Sequence, residues 1–321
     1  MDRFDLSPLG ATLTTGAPQR SGPLAMLPLF GEEDDRFPAP LTGLKLSMVK
    51  GYGNLELENP SSEGVAIVPL HMGYIQDNAQ NHALCRSAFI GAKQKLMFKD
   101  ACCVQQGQGG YLQGREQWFF ILPASLRETA LELRGQVGYG KLWPSIAALA
   151  ARFGLEHKGH LEQVVSRQRF YLTQYASRLE LLPGQTGAAF FIDGDLAGVE
   201  IAPSAAYFAE VFMPLACFCY GAEAMLRETR KKGARKPAEL EASSVDGIRK
   251  ALEVSRAEFR GELVSGLGRL QKEKLELKEE ERWLDLVLST ATSKHFAGQV
   301  VREKDRLLYA SVTARAKAFL N

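Results

Sequence analysis

The chain has 321 residues, of which 45% are hydrophobic and 24% charged, and its formal net charge is +2. This composition excludes the intrinsically disordered and fibrous classes. The small net charge predicts neither a nucleic-acid partner nor a membrane-surface partner, and no stretch approaches the roughly 20 apolar residues of a membrane span. The length allows one large domain or two ordinary ones and a sizeable core that needs no metal or disulfide.

Five cysteines form an odd set with irregular spacing, which is not typical of a secreted disulfide framework. They are Cys85, Cys102, Cys103, Cys217 and Cys219. The last two stand two residues apart on a predicted helix, face different directions and make a poor metal pair. A reducing cytoplasm is the simpler setting for these thiols, and the N-terminus lacks the pattern of a signal peptide. The sequence therefore predicts a cytoplasmic protein with no metal site and no cofactor.

In the first third of the chain, a segment with little periodicity is followed by segments with the apolar pattern of strands. Residues 1–42 are rich in Gly, Pro, Thr and Ser, which predicts a loosely ordered arm or a segment draped over the surface. From residue 44 onward, short apolar runs follow one another without intervening helices, and this favours antiparallel pairing. The predicted strands are Leu55–Glu58, Val65–Leu70, Ala83–Ile90, Lys95–Val104 and Gln117–Leu122.

Helical periodicity then takes over. The predicted helices are Ser125–Arg134, with Ser125 as N-cap, Leu142–Phe153, Leu161–Leu182 and Ala205–Arg227. A hairpin is predicted over Gly187–Ile201, because Asp193 and Gly194 supply the positive φ that a tight hairpin turn needs.

The C-terminal part begins with a basic linker at residues 230–236 and a charged region at 244–288. Glutamate and lysine pairs at helical spacing predict a solvent-facing amphipathic helix there. Two strands are predicted at Phe296–Arg302 and Arg306–Val312. Together the patterns predict an α+β protein, with a mainly antiparallel sheet and helices packed on it. We expect a single domain over residues 43–321, with a helical insertion at about 240–290.

The segment Gly91–Tyr111 carries chemistry that core packing does not require. Lys93 is a cation suited to phosphate or carboxylate, and Gln94 and Gln106 can recognise an amide or a sugar hydroxyl. The glycine-rich backbone of Gln105–Gly110 can present N–H groups to an anion, although no complete nucleotide-binding glycine motif occurs. The alternative interpretation of Gly91–Gln94 is a solvated surface turn, and that of Gln105–Gly110 is a plain hairpin.

Two residues are candidates for catalysis. Cys103 could act as a nucleophile if a base lay beside it, although a cysteine at a strand end is more often a small buried hydrophobe. Glu200 is the carboxylate that we favour as a general base, the alternative being a position on the solvated face of the sheet. The candidate bases for Cys103 are His71, His82, His157, His160 and His295.

The order of these motifs resembles that of a known family, the ARG-and-rhodanese-phosphatase-associated protein domain, a domain of unknown function. The similar elements are Leu55–Asn59, Gly91–Gln94, Cys103–Gly107, Trp143, Gly187–Phe190 with Asp193-Gly194, and Gly198–Glu200. The similarity spans roughly residues 44–227, and the two closing strands would complete it. The family usually continues its Lys-Gln step with Asn-Arg and its Cys-Val-Glu-Gln-Gly step with Arg-Trp. Here Gln105 replaces the glutamate, and Gln108 and Gly109 replace the Arg-Trp, so the chain resembles a divergent member.

The resemblance implies ADP-ribose or NAD-derived chemistry, because the family is associated with ADP-ribosylglycohydrolases. A small ligand of this class would be held by Lys93, Gln94, Gln105, Gln106 and Gly107. The loss of a carboxylate and an arginine weakens any inherited acid–base role, so binding alone and processing both stay open. The alternative function is a non-catalytic interaction or scaffold protein, in which the region 244–288 carries the partner surface, for example in a homodimer.

Overall fold

The structure is a computed structural model that describes residues 2–50, 53–75, 80–107, 118–230 and 244–320. The strands of the first half of the chain are β1 (Asp2–Leu6), β2 (Ala11–Thr15), β3 (Gln19–Ser21), β4 (Leu24–Phe30), β5 (Lys45–Val49), β6 (Leu55–Glu58), β7 (Val65–Val68), β8 (Met72–Ile75), β9 (His82–Ala83), β10 (Ala88–Gly91), β11 (Lys95–Phe98), β12 (Cys102–Cys103) and β13 (Trp118–Ile121). Those of the second half are β14 (Gly187–Ile192), β15 (Asp195–Ile201), β16 (Glu276–Trp283), β17 (Leu286–Thr292), β18 (Phe296–Glu303) and β19 (Arg306–Ala314).

The helices are α1 (Pro40–Gly43), α2 (Ala124–Glu132), α3 (Trp143–Arg152), α4 (Leu161–Arg178), α5 (Ala205–Met213), α6 (Tyr220–Arg230), α7 (Val245–Gln271) and α8 (Lys317–Leu320). Those predicted between residues 125 and 227 agree with the observed ones to within a few residues. A π-helical stretch, Pro214–Cys219, joins α5 to α6, so the predicted long apolar helix is continuous. Ser125 does not cap α2 as predicted. It lies inside the helix, and its hydroxyl donates a hydrogen bond to Glu223.

Ten strands form one antiparallel sheet in the order β1-β2-β4-β14-β15-β19-β18-β17-β16, with β3 also paired to β4. The two ends of the chain therefore lie on either side of the β14–β15 hairpin, since β4 pairs with β14 and β19 pairs with β15. The hairpin turn has φ of 56° at Asp193 and 91° at Gly194, as the Asp-Gly signal predicted. Three smaller sheets, β10-β7, β11-β6-β5 and β12-β9-β8-β13, complete the strand pairing of the described residues. The predicted α+β class with an antiparallel sheet is confirmed.

The prediction of a loosely ordered arm over residues 1–42 is wrong. Twenty of the first 30 residues belong to strands of the large sheet, and Leu6 and Leu9 are fully buried in its core. The strands are short and separated by turns in which Gly10 and Gly22 have positive φ. The composition of residues 1–42 correctly indicated turns. Their strands form because these residues are buried against the rest of the large sheet.

The charged region 244–288 divides into a helix and two strands. Ser244 caps α7 by accepting a hydrogen bond from the Gly247 N–H at 3.1 Å, and the helix ends at Gln271. The predicted helix is therefore wrong beyond that residue, because β16 and β17 follow. β16 is the edge strand of the large sheet, and edge strands are commonly protected by charged side chains. Its charged side chains, one lysine, one arginine and four glutamates, fit an exposed strand as well as an exposed helix.

The apolar helix Ala205–Glu228 is long and apolar enough to cross a membrane, judged by length and composition within the described residues. Of the most apolar 18-residue stretch of this helix, 72% is buried inside the protein, where α4 and β13 pack against the π-helical stretch. The same burial accounts for its hydrophobicity, because the helix covers one face of the large sheet near β14.

Candidate functional site

Lys93 and Gln94 lie in the surface turn between β10 and β11. The Gln94 N–H donates to the Gly91 carbonyl at 3.0 Å, and Lys93 adopts φ of 57°. Both side chains are exposed. Glycine is needed at position 91 because a Cβ there would lie 2.4 Å from the Trp283 ring. The turn is therefore packed against β16, and this geometry agrees with the surface-turn interpretation.

The two glutamines after β12 are tied to neighbouring backbone. The Gln105 side-chain oxygen accepts from the Asn81 N–H at 3.1 Å. The Gln106 side-chain oxygen accepts from the Gly159 N–H at 2.6 Å, and the Gln106 N–H donates to the Gly159 carbonyl at 2.8 Å. Gly107 follows with φ of 108°, and the next three residues of the predicted loop lie outside the described part of the chain. The Gln105 side chain thus holds the segment before β9, and the Gln106 side chain holds the segment before α4, against the end of β12.

Cys103 is buried in β12, and its thiol donates to the Gln80 side-chain oxygen at 3.2 Å and the Gln105 carbonyl at 3.3 Å. Burial raises the pKa of this thiol. His82 stands opposite Cys103 in the strand pairing, but both of its ring nitrogens are engaged. One accepts from the Gly53 N–H at 3.0 Å, and the other lies 2.7 Å from the Gln80 carbonyl. Burial also lowers the pKa of His82, and the lone pair that accepts from Gly53 is occupied.

A buried polar cluster adjoins Cys103 at the start of α4. The Asn81 amide donates to the Glu162 carboxylate at 3.0 Å, and His160 lies 3.7 Å from the same carboxylate. Gln105 forms an isolated β-bridge with His160. Three segments of the chain, those at β9, β12 and the start of α4, are joined through these contacts. Such networks fix a unique packing when their members are hydrogen-bonded.

Glu200 lies in β15, inside the core. Its carboxylate accepts from the Arg127 guanidinium at 2.5 Å, from the Tyr220 hydroxyl at 2.6 Å and from the Ser311 hydroxyl at 2.5 Å. Arg127 also donates to Ser311. A cavity of about 10 Å³ adjoins the carboxylate, which is room for about one water molecule. The geometry gives Glu200 the role of a buried counter-ion to Arg127.

The sequence-predicted site residues do not converge on one pocket. The turn at Lys93 precedes β11, whereas β12 follows it, so the two lie at opposite ends of this strand. Four strand residues span about 13 Å. Glu200 is in the core of the large sheet, in a different set of contacts from Cys103. The structure therefore brings Cys103 together with Gln105 and Gln106, and separates this group from the other predicted residues.

A charged cleft of about 640 Å³ lies between the β16 edge of the large sheet and the segments before β10 and after α2. Its volume is typical of small-molecule sites. None of the sequence-predicted site residues lines it. The lining residues are Arg86, Ser87, Arg134, Gly135, Lys278, Glu280, Glu281, Leu288 and Gln299.

Two guanidinium groups of this charged cleft differ in how tightly they are paired. Arg134 lies 2.8 Å from the Glu280 carboxylate. The ion pairs of Arg86 are longer, at 3.6 Å from Asp100 and 3.7 Å from Glu281, and its guanidinium also donates to the Ser87 carbonyl at 3.3 Å and lies over the Phe98 ring. Burial raises the pKa of Glu281, although the Phe89 N–H and Arg86 oppose this effect. Arg86 is therefore the cation that can take a new partner at the lower cost.

The neutral side of the charged cleft is formed by Ser87 and Gln299. The Gln299 side-chain oxygen accepts from the Ser87 N–H at 2.7 Å, and its amide nitrogen donates to Thr290 at 3.2 Å. The Ser87 hydroxyl is buried and has no hydrogen-bond partner among the described residues. A buried hydroxyl with unused hydrogen-bonding capacity is uncommon, and Ser87 is one of the residues that line the charged cleft.

Sequence reasoning missed the charged cleft because its residues come from five separate stretches of chain, three of which lie wholly or partly in regions predicted as helix. One signal was available. The run Leu286–Thr292 is rich in Val and Thr, which favours a strand. With the Leu284-Asp285 turn before it, this run indicates a hairpin that would make Lys278 and Glu280 part of a strand.

Comparison with protein families matches residues 12–313 to the ARG and Rhodanese-Phosphatase-superfamily-associated Protein domain. The chain belongs to this family. The family domain includes β2, β4 and the charged region as well as the elements from which the resemblance was inferred, and it contains the whole lining of the charged cleft. Comparison with curated proteins and with solved structures yields no match.

Proposed function

We propose that this member of the ARG and Rhodanese-Phosphatase-superfamily-associated domain family binds an ADP-ribose-like or nucleotide-derived ligand in the charged cleft. The observation that carries the proposal is one cavity of about 640 Å³ that presents Arg86, Arg134 and Lys278 beside Glu280 and Glu281. Guanidinium groups match phosphate oxygens with paired N–H donors. Carboxylates accept hydrogen bonds from hydroxyls such as those of ribose. The cleft thus offers complementary groups for both parts of such a ligand.

Arg86 and Ser87 are the anchors of this proposal. The ion pairs of Arg86 are longer than 3.5 Å, so a phosphate oxygen can approach its guanidinium without displacing a short hydrogen bond. The Ser87 hydroxyl would gain a partner that it lacks within the described residues. A cytoplasmic setting is part of the proposal, in keeping with five free thiols.

Isothermal titration calorimetry with ADP-ribose, NAD and ADP tests the proposal. Arg86→Gln and Lys278→Ala should each weaken binding, the former at least tenfold, which corresponds to about 1.4 kcal/mol. Arg282→Ala is the matched control, because Arg282 is on the same strand, pairs with Glu279 and is outside the cleft lining. Absence of binding heat for all three ligands, or equal affinity in Arg86→Gln and wild type, would contradict the proposal.

The same titration also tests the site that was inferred from the sequence. If Lys93→Ala and Gln94→Ala weaken binding while Arg86→Gln does not, the ligand lies at the β10–β11 turn.

Processing is tested by chromatography of ADP-ribose and NAD after incubation with the protein. A turnover that is lost in Cys103→Ser would support a thiol mechanism.

A second candidate function is partner binding through α7. In its N-terminal half, Val245, Ile248 and Leu252 are 72%, 43% and 39% exposed and lie on one stripe of the helix, whereas Leu263 and Leu267 continue the stripe into the core. An apolar stripe that extends beyond the body of a protein favours an interaction surface. Light scattering of wild type and of a variant with serine at the three exposed positions tests self-association. A monomeric wild type would argue against the homodimer.

A further inference from the structure

Cys85 and Cys102 face each other in the interior with their sulfur atoms 3.1 Å apart. Cys102 is in β12, where it pairs with Ala83 of β9, and Cys85 follows β9 two residues later. Both thiols are free and buried. A disulfide bond is about 2.0 Å long, so the sulfurs need to approach by only about 1 Å to form one.

We propose that Cys85 and Cys102 are a reversible thiol–disulfide pair that is oxidised by a hydroperoxide. The Cys102 sulfur first attacks hydrogen peroxide, so that an S–O bond forms, the O–O bond breaks and one water leaves. The Cys85 sulfur then attacks the sulfenic sulfur of Cys102, forming the S–S bond and releasing a second water. The two thiols lose two electrons and two protons, and the peroxide is reduced to two waters.

The surroundings assign the roles of the two sulfurs. The hydrogen bond between the two thiols lowers the pKa of Cys102, and the nearby Lys141 ammonium acts in the same direction, whereas burial and the Asp100 carboxylate oppose both. The same hydrogen bond raises the pKa of Cys85. Lys141 is held in place by donating to the carbonyls of Asp100 at 2.8 Å and Gln136 at 2.5 Å. Cys102 is therefore the attacking sulfur, since the thiolate is the reactive form.

The other described cysteines are turned to different partners. Cys103 donates to Gln80 and Gln105, on the opposite side of β12 from Cys102. Cys219 contacts the buried Arg127 guanidinium at 3.6 Å. Geometry therefore makes the pairing specific.

The cross-link would tie β12 to the wall of the charged cleft. Arg86, which follows Cys85 directly, lines that cleft. The bond would join residues 17 positions apart and close a loop that contains β10 and β11. Closing such a loop restricts the unfolded chain and stabilises the folded one. The oxidised protein should accordingly melt at a higher temperature, and dithiothreitol should reverse the shift.

The test is peroxide titration of the native protein, followed by unfolding, alkylation of the remaining thiols and peptide mass mapping without reduction. Wild type should lose two alkylatable thiols and yield a Cys85–Cys102 cross-linked peptide that dithiothreitol removes. Cys85→Ser should stop at a sulfenic acid on Cys102, trapped by dimedone. Cys217→Ser, which removes a buried cysteine outside the pair, should behave as wild type.

Three results would overturn the proposal. One is a wild type that keeps all five thiols under peroxide concentrations that oxidise it after unfolding in urea. Another is a cross-link that involves Cys103 in place of Cys102. The third is equal oxidation of wild type and Cys85→Ser with no trapped sulfenic acid. None of these measurements needs a Cys102 variant, so they remain decisive even if substitution at that position prevents folding.

Discussion

Arg127 and Glu200 form an ion pair that has almost no contact with solvent, since the Arg127 side chain is 1% exposed. Removing both charges from water costs several kcal/mol each. Their contact at 2.5 Å and the hydroxyls of Tyr220 and Ser311 offset this cost. The Arg127 Nε has no hydrogen-bond partner among the described residues, so the network is not fully satisfied. Such a pair depends on both members being present.

Arg127→Met should destabilise the protein by about 3–5 kcal/mol, because it leaves the Glu200 carboxylate buried without its counter-charge. Urea unfolding of wild type and variant measures this loss. Arg269→Met is the control, because the Arg269–Asp195 pair has a similar distance of 2.7 Å but is exposed. An exposed pair contributes about 0–1 kcal/mol. Equal losses in the two variants would show that burial of the first pair is unimportant.

Asp34 makes stability depend on pH in the acid range. The hydrogen bond from Arg36, aided by Arg306, lowers the pKa of Asp34 from 3.8 to about 2. The folded state thus binds this proton less readily than the unfolded chain. The contribution of the ion pairs is fully present above pH 3.8 and is lost as the pH falls through about 2.

The urea midpoints of wild type and Asp34→Asn should therefore differ at pH 5 and converge as the pH approaches 2. High salt should reduce the difference, because the Arg36 side chain is more than half exposed. Asp195→Asn, at an exposed position, should follow the pH dependence of wild type. A difference between wild type and Asp34→Asn that is constant over pH 5 to 2 would exclude this linkage.

At the scale of elements, the β10–β11 turn has a structural reason for its sequence. Gly91 accommodates the Trp283 ring of β16, which lies 2.4 Å from the position of a Cβ. The turn therefore joins a small sheet to the edge of the large one. Packing against Trp283 therefore requires glycine at position 91 whether or not the Gly-Ala-Lys-Gln sequence binds a ligand.

Gly91→Ala should destabilise the protein by about 1–3 kcal/mol through overpacking against Trp283. The same substitution in a Trp283→Leu background should cost less than about 1 kcal/mol, since the smaller side chain can yield. Gly261→Ala is the control, because nothing lies within 4 Å of its Cβ position in α7. It should stabilise the helix by about 0.5–1 kcal/mol. Equal costs of Gly91→Ala in both backgrounds would rule out this packing account.

Elements with a strong local signal were predictable from the sequence. The hairpin Gly187–Ile201 has apolar strands and an Asp-Gly turn, and the strands Phe296–Glu303 and Arg306–Ala314 have long apolar runs. β16 lacked such a signal, because an exposed edge strand carries charges that also suit a helix. The N-terminal strands lacked it because they are short and interrupted by turns.

The candidate site was less predictable than the fold. Motif order identified the family correctly over the residues that carry Lys93 and Cys103, but the charged cleft depends on which strands become neighbours. Arg86 and Lys278 are 192 positions apart in the sequence, and only the position of β16 at the sheet edge brings them to one cavity. Non-local pairing of this kind leaves no trace in local composition.

At the scale of the whole molecule, the large sheet is built from both ends of the chain. β4 is next to β14, β15 is next to β19, and the C-terminal hairpins extend the sheet to β16. α7 returns across the N-terminal strands, where Arg260 donates to Thr15. Neither end can therefore be removed without exposing an edge or a core face.

Deletion of residues 1–16 should strongly destabilise the protein. The deletion removes β1 and β2 together with Leu6, Leu9 and Leu13, all of which are buried. Burial of one leucine contributes about 1.5–3 kcal/mol, so three approach the total stability of about 5–15 kcal/mol that is typical of a domain. Thermal unfolding and soluble yield measure the effect, and Arg3→Ala, at an exposed β1 position, should change neither. A truncated protein with the melting temperature of wild type would restore the interpretation of this segment as a loosely attached arm.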